Sequence, residues 1–214
     1  MRIAVFGGTG MAGRAVVTEA LTRGHTVTAV ARRPPAPDHG RLSVLALDVG
    51  RTEDLAPVLT AADAAVLAVR LAPGREHLLA PLTHGFLDAA QRCGTRVLVV
   101  GGSAPLRSPD DAGRLVIDDP AYVPAEWKTI AQASLDQFRV CRDHPHDAWT
   151  YLSPPAILEP GTHTGGYRRG RTTLLTDGTG DSRISAPDLA LAVLDELENP
   201  RGEHHFTVAR SLAE

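Results

Sequence analysis

Short continuous apolar runs alternate along this chain with longer stretches whose apolar residues recur every three or four positions. The first pattern suits a strand covered on both faces, the second an amphipathic helix. Arg2-Ile3-Ala4-Val5-Phe6 makes the first strand. Residues 11–23 predict a helix, with Ala12, Ala15, Val16, Ala20 and Leu21 near one face and Gly24 placed to end it. Further strands are predicted at 25–30, 42–47, 64–69, 96–100, 147–152 and 205–208. Thr52 reads as the cap of a short helix, with Glu53 and Asp54 in the first turn where the dipole favours acids. Residues 76–93 predict a long helix ended by Gly94, and 125–142 another with Trp127, Ile130, Leu135 and Phe138 on its apolar side. A last helix covers 189–197, with Ser185 as N-cap and Asn199-Pro200 as its stop.

This alternation predicts a single α/β domain over residues 1–214, an open parallel sheet with helices on both faces. Two stretches leave the pattern, at about 104–123 and 159–180, and are expected as substrate-side loops. The first is rich in Pro and Asp. The second contains a glycine-rich, basic segment with Tyr167, Arg168, Arg169 and Arg171. It reads either as a mobile cover over a substrate or as a solvated loop.

Composition narrows the class only slightly. The 214 residues are 43% hydrophobic and 22% charged, ordinary for a globular protein. A formal net charge of -3 gives no reason to expect nucleic acid as a partner. No apolar stretch is long enough to span a bilayer, and the first strand begins at residue 2, so neither a membrane segment nor a signal peptide is expected. Cys93 and Cys141 both fall in helical patterns and suggest neither a disulfide nor a metal site. Free thiols fit a reducing cytoplasm. His77 and His84 lie seven apart on one predicted helix and read as ordinary helix residues without a matching carboxylate, so no metal is expected.

The candidate chemistry starts where the first strand meets the first helix. Gly7-Gly8-Thr9-Gly10-Met11-Ala12-Gly13 fits two spacings, with Gly8, Gly10 and Gly13 or with Gly7, Gly10 and Gly13 as the key glycines. Both mean a tight turn that lets backbone approach a pyrophosphate at a helix N-terminus. The strand–turn–helix context, followed by a second strand, is what separates this motif from an incidental glycine run. The residues after the second strand bear on which cofactor binds. An acid there suits the ribose hydroxyls of NAD, an arginine the 2′-phosphate of NADP. The chain reads Ala31-Arg32-Arg33-Pro34, so NADP(H) is expected over NAD(H). The alternative is two solvated surface arginines. Asp48, at the end of the third strand, reads equally as an acceptor for the adenine amine or as a turn residue. Ser103, after Gly101-Gly102, either faces the substrate crevice or makes a turn.

These segments, together with Trp149-Thr150-Tyr151-Leu152-Ser153-Pro154 and the stretch from Ser182 to Ala190, resemble the atypical short-chain dehydrogenase/reductases. The similarity is to the NAD(P)H-binding group described as NADH-flavin reductases, related to flavin/biliverdin reductases and to NmrA-like proteins. It covers nearly the whole chain and implies a Rossmann fold. It also implies that Gly7, Thr9, Gly10, Met11, Ala12 and Gly13 hold the phosphates, and that Arg32 and Arg33 lie at the 2′-phosphate. Asp48 and Val49 would then flank the adenine, Ala68, Val69 and Arg70 the ribose and nicotinamide. Gly101 would join the cofactor crevice, and Pro154, Pro155 and Ile157 the nicotinamide side.

The chain departs from the wider superfamily in lacking its Tyr-x-x-x-Lys pair. Tyr122 and Lys128 are six apart, and Trp127 stands near the expected tyrosine. Ser103, Tyr122 and Lys128 are therefore the candidates for weaker catalytic roles. The expected activity is NADPH-dependent hydride transfer to a small conjugated acceptor: a flavin, quinone, enone or ketone. The alternatives are an NmrA-like cofactor sensor without turnover, or a cofactor-dependent step that is not net redox, such as epimerisation. A small-molecule substrate and a monomer or homodimer complete the expectation.

Overall fold

The computed structural model describes residues 1–212. Strand β1 (Arg2–Phe6) is buried from Ile3 onward, because parallel neighbours flank it and helices cover both of its faces. It leads through the glycine turn into α1 (Met11–Thr22), and Gly24, at φ 86, turns the chain into β2 (Thr26–Ala31). Beyond β2 lies the half-exposed edge strand β3 (Leu42–Ala46). Helix α2 (Ala56–Ala61), β4 (Ala64–Leu67), α3 (Leu79–Cys93) and β5 (Arg96–Val100) follow. An irregular segment then reaches α4 (Lys128–Asp143) and β6 (Trp149–Ser153). The chain closes with β7 (Ile157–Glu159), β8 (Tyr167–Gly170), β9 (Arg183–Ser185), α5 (Ala186–Glu198) and β10 (His205–Arg210).

The main sheet has the order β3-β2-β1-β4-β5-β6-β10-β8. The strand order reverses between β1 and β4, the switch point at which doubly wound sheets open a ligand crevice. Each face has its own core. Helices α1 and α5 bury Val16, Ala20, Leu189 and Val193 on one side. On the other, Leu55, Leu59, Phe86, Leu87 and Cys141 pack against the sheet, with the Phe6 and Phe86 rings edge-to-face at 4.8 Å. Arg23, which caps the end of α1, reaches Glu19 at 2.6 Å and both Asp195 and Glu198 of α5 at 2.7 Å. That network locks the two helices together at the edge opposite the crevice.

The single α/β domain expected from the pattern is the one observed. Ser185 does cap α5: its hydroxyl accepts the Asp188 N–H at 3.2 Å, a contact that stabilises by about 1 kcal/mol. Several local expectations change. Thr52 caps nothing; it opens a single 3-10 turn, Thr52–Asp54, and α2 begins only at Ala56. The fourth strand ends at Leu67, so Ala68 and Val69 belong to the loop that follows. Helix α5 starts three residues before the expected position, at Ala186, because Pro187 fits the first turn. The basic stretch expected as a loop contains β8, which pairs antiparallel with β10 through Thr207↔Gly170 to Arg210↔Tyr167. The sheet is therefore parallel except at this last edge. A separate two-stranded parallel pair, β7 with β9, was not anticipated.

Candidate functional site

The glycine turn is held from both sides. The N–H groups of Gly7 and Gly8 donate to Val30 O of β2 at 2.9 and 3.2 Å, and Gly10 N–H donates to Gly7 O at 2.9 Å. Gly7 has φ 87, and a Cβ on it would stand 2.3 Å from Ala68 O. A Cβ on Gly13 would stand 2.2 Å from Gly7 O. These two positions therefore exclude any side chain. Gly10 is different: its φ of -73 is ordinary, and a Cβ would meet only Gly7 O, at 3.3 Å. Of the two spacings the sequence allows, the one starting at Gly7 carries the left-handed turn.

Helix α1 starts directly above this turn. Its N-cap is Gly10, which offers no side chain to the first-turn amides, and no acidic residue stands in that turn. The N–H groups of Met11, Ala12 and Gly13 thus face outward at the positive end of the helix. Thr9 is half-buried, and its carbonyl accepts from the Arg14 guanidinium at 3.2 Å. A cradle that a Cβ would fill, below a helix end with unpaired donors and no competing carboxylate, fits a pyrophosphate.

The neighbouring strand ends supply the rest of the rim. Arg32 and Arg33 follow β2 directly; both are exposed and neither is in an ion pair among the described residues. Asp48 follows β3, and its Oδ1 accepts the Gly50 N–H at 3.0 Å, closing a turn. Val49 packs on the core with Val69, while Ala68 N–H donates to Phe6 O at 2.9 Å, bringing that loop against Gly7. Arg70 is exposed beside it. Pro154 and Pro155 are buried past the end of β6, and Ile157 opens β7.

The wall beside Ser103 is assembled from distant residues. Gly101 must lack a side chain because a Cβ there would fall 1.9 Å from the Tyr151 ring. The Tyr151 hydroxyl accepts the Gly102 N–H at 3.3 Å and donates to Ser134 O at 3.0 Å, tying the end of β5 to α4. Burial pushes this phenol well above its ordinary value, so it is a neutral donor. The Ser103 carbonyl accepts from Leu106 N–H at 3.0 Å. The excursion that follows is knotted by Asp119, which accepts from Ser108 Oγ at 2.6 Å and from the Arg114 guanidinium at 2.8 Å. The Ser108 hydroxyl bond and the Ala121 N–H, with the Arg114 charge, hold its carboxyl below the usual carboxylate range.

The three candidate catalytic side chains do not form a dyad. Lys128 opens α4, and its ammonium donates to Ile117 O with Asp118 3.9 Å away. Tyr122 is half-buried against Leu106, Val116, Val123 and Leu174, a cluster that also includes Ala156 of the Pro154-Pro155 segment. Burial, followed by Asp110 and Asp119, pushes its hydroxyl above the ordinary value. No hydrogen bond joins Ser103, Tyr122 and Lys128 among the described residues. Trp127 is 50% exposed at the start of the same helix.

Sequence reasoning passed over Tyr151, Ser134, Asp119 and Ser108. Their contacts join residues too far apart in the chain to leave a local spacing. Ser153 and His205 are in the same class: Ser153 Oγ lies 2.9 Å from His205 Nε2 beneath the Pro154-Pro155 corner. Burial lowers the His205 ring to about 4, which keeps it neutral. An open groove of about 420 Å³ lies elsewhere, between Arg23, Tyr167 and Asp195. Its Arg23 and Arg169 are already paired with acids, and Asp195 and Arg201 line it as well.

The switch-point crevice, the cradle and the unpaired helix end define a nucleotide-binding protein of the doubly wound α/β class. Residues 7–200 match the NAD(P)H-binding family, and the chain belongs to it. It is 35% identical over 213 residues to the uncharacterised protein YwnB of Bacillus subtilis, covering 97% of this chain and 98% of that protein. A proposed NADH-flavin reductase from Streptococcus pneumoniae is 30% identical and superposes with a TM-score of 0.87 over 99% of this chain and 100% of the other. A proposed epimerase from Bacteroides thetaiotaomicron is also 30% identical, with a TM-score of 0.89 over 100% and 98% of the two chains. No described helix is long and apolar enough to cross a membrane.

Proposed function

We propose that the protein is a reductase that prefers NADPH and passes hydride to a small conjugated acceptor such as a flavin or quinone. One observation carries the reading: the glycine cradle under α1 opens beside two exposed, unpaired arginines at the end of β2, with no acid in that position. Arg32, with Arg33 beside it, would grip the 2′-phosphate; Gly7, Gly10 and Gly13 with the first-turn amides would hold the pyrophosphate. Val49 and Asp48 are assigned to the adenine side. Ala68, Val69, Arg70, Gly101, Pro154, Pro155 and Ile157 are assigned to the ribose and nicotinamide side.

The nicotinamide, when bound, supplies the hydride; the chain's own residues orient it and keep water away. Tyr122, kept protonated and clustered with Ala156, and Ser103, which follows Gly101-Gly102, are the hydroxyls assigned to that side. Lys128 acts through the segment it holds, by its bond to Ile117 O, and not as a partner of Tyr122. A flat acceptor that takes a hydride as a conjugated system and a proton from solvent needs geometry more than an acid.

The unformed tyrosine–lysine pair also favours a second reading, a cofactor-binding regulator without turnover. One assay separates the two: purified protein with NADPH and a panel of FMN, riboflavin, quinones, enones and ketones. Loss of the reduced-nicotinamide absorbance with one acceptor class is the result expected. NADPH that binds but is never oxidised across the panel overturns the reductase.

A further inference from the structure

We propose that His84, Asp88 and His144 form a binding site for a divalent transition metal, zinc being its representative, that clamps α3 to the end of α4. His84 and Asp88 stand one turn apart on α3, and His144 is the residue that ends α4. His84 Nδ1 lies 3.2 Å from Asp88 Oδ2, His144 Nε2 lies 3.3 Å from Asp88 Oδ1, and one ligand atom from each residue falls within 4.8 Å of the others. Zinc binds imidazole nitrogen and carboxylate oxygen at about 2.0–2.2 Å, which puts neighbouring ligands of a tetrahedral ion roughly 3.3 Å apart. Each imidazole already stands at that distance from Asp88, His84 from Oδ2 and His144 from Oδ1, and the remaining spacing lies within 4.8 Å, so the exposed His84 ring has to move inward to complete the site. The two rings stand at 73° with centroids 5.0 Å apart, on either side of the carboxylate.

The cluster is built from one rigid side and one open side. The His144 side chain is fully buried, while His84 and Asp88 are accessible, which leaves an approach for the ion and a position for water. Two imidazoles and one carboxylate are a donor set that suits zinc and its neighbours and not magnesium or calcium. One contact limits the affinity. His144 Nδ1 accepts the His146 N–H at 3.0 Å, so the metal-free ring carries its proton on Nε2, directed at Asp88. Coordination through Nε2 moves that proton to Nδ1 and gives up the His146 bond. Three ligands and this cost make the site weaker than a closed four-ligand site.

The test uses the full chain with any purification tag removed and stripped of metal by a chelator that is then dialysed away. Zinc chloride is titrated calorimetrically, and the unfolding midpoint is followed in parallel. One ion per chain and a rise in the midpoint are expected, since a ligand of the folded state stabilises it. His84→Ala and Asp88→Asn, both at accessible positions, should each weaken binding by about tenfold or more, on the scale of losing a metal-site contact. His77→Ala, seven residues earlier in the 3-10 turn Glu76–Leu78 that precedes α3, should leave it unchanged. No heat and no shift at roughly millimolar zinc would overturn the site, as would binding that survives His84→Ala or Asp88→Asn, the outcome expected if Cys93 held the ion instead.

Discussion

The first unit, β1-α1-β2, and the wall made by the segment after β5 with α4 face the same crevice but are built on opposite terms. The first is backbone held by backbone: amides of Gly7 and Gly8 on Val30 O, and Gly13 pressed onto Gly7 O where no side chain fits. The second is held by side chains, which reach backbone carbonyls, as Tyr151 does Ser134 O and Lys128 does Ile117 O, or one another, as Asp119 does Ser108 and Arg114. A backbone-built site tolerates little variation and suits a cofactor whose phosphates never change. A side-chain-built wall can be rebuilt residue by residue, which suits the part of a crevice that selects substrates.

The sharpest way to break the comparison is at the glycines. Gly13→Val forces a Cβ to 2.2 Å from backbone and should cost about 3 kcal/mol or more of stability, read by urea unfolding. Gly10→Ala meets only a 3.3 Å contact, so it should cost less than about 1 kcal/mol while abolishing tight NADPH binding. If both variants lose stability equally, the turn is not divided between a packing glycine and a ligand-facing one.

Behind that wall, His205 of β10 packs on Phe138 of α4 and adds a pH signature. His205 is neutral in the fold, with its ring held at about 4, and takes a proton near 6.5 once unfolded. Below about pH 6.5 the unfolded chain therefore binds a proton that the fold refuses, and stability falls until about pH 4, by roughly 3 kcal/mol in all. Unfolding curves between pH 7 and 4 measure this slope, and His205→Gln should flatten it. An unchanged slope in that variant would assign the acid sensitivity elsewhere.

Smaller effects divide cofactor from wall. Arg32→Ala should weaken NADPH by about tenfold to a hundredfold and leave NADH nearly unchanged. Equal losses would remove the 2′-phosphate from Arg32. Lys128→Met deletes one bond to a carbonyl and should cost about 1 kcal/mol in stability, with KM for NADPH unaffected. A large fall in kcat alone would make Lys128 a catalytic residue and not a support.

What was legible in the sequence follows the same division. The glycine turn, the apolar strands and the Ser185 cap depend on neighbours a few positions away, so their spacing shows in the chain. Tyr151, Ser134 and Gly102 meet only after β5, α4 and β6 have packed, and nothing in their own neighbourhoods marks them. Strand β8 was hidden for another reason. Tyr167-Arg168-Arg169-Gly170 has no alternation because an edge strand beside charged residues needs none; its conformation comes from β10. Asp88 was within reach. It stands at i+4 from His84, one turn on, whereas His77 lies two turns back and shares no ligand with it.

That late strand matters to how the chain is made. The β6 edge is covered only when β10, the last strand, pairs through His205 to Thr207, and β8 then covers β10 in turn. Until those residues leave the ribosome, the nascent sheet carries a bare parallel edge next to Trp149 and Tyr151. A product cut short before His205 keeps that edge bare, and such truncated chains are expected to self-associate more than the chain in which β10 and β8 cover it, with Arg168 donating to the Arg210 carbonyl.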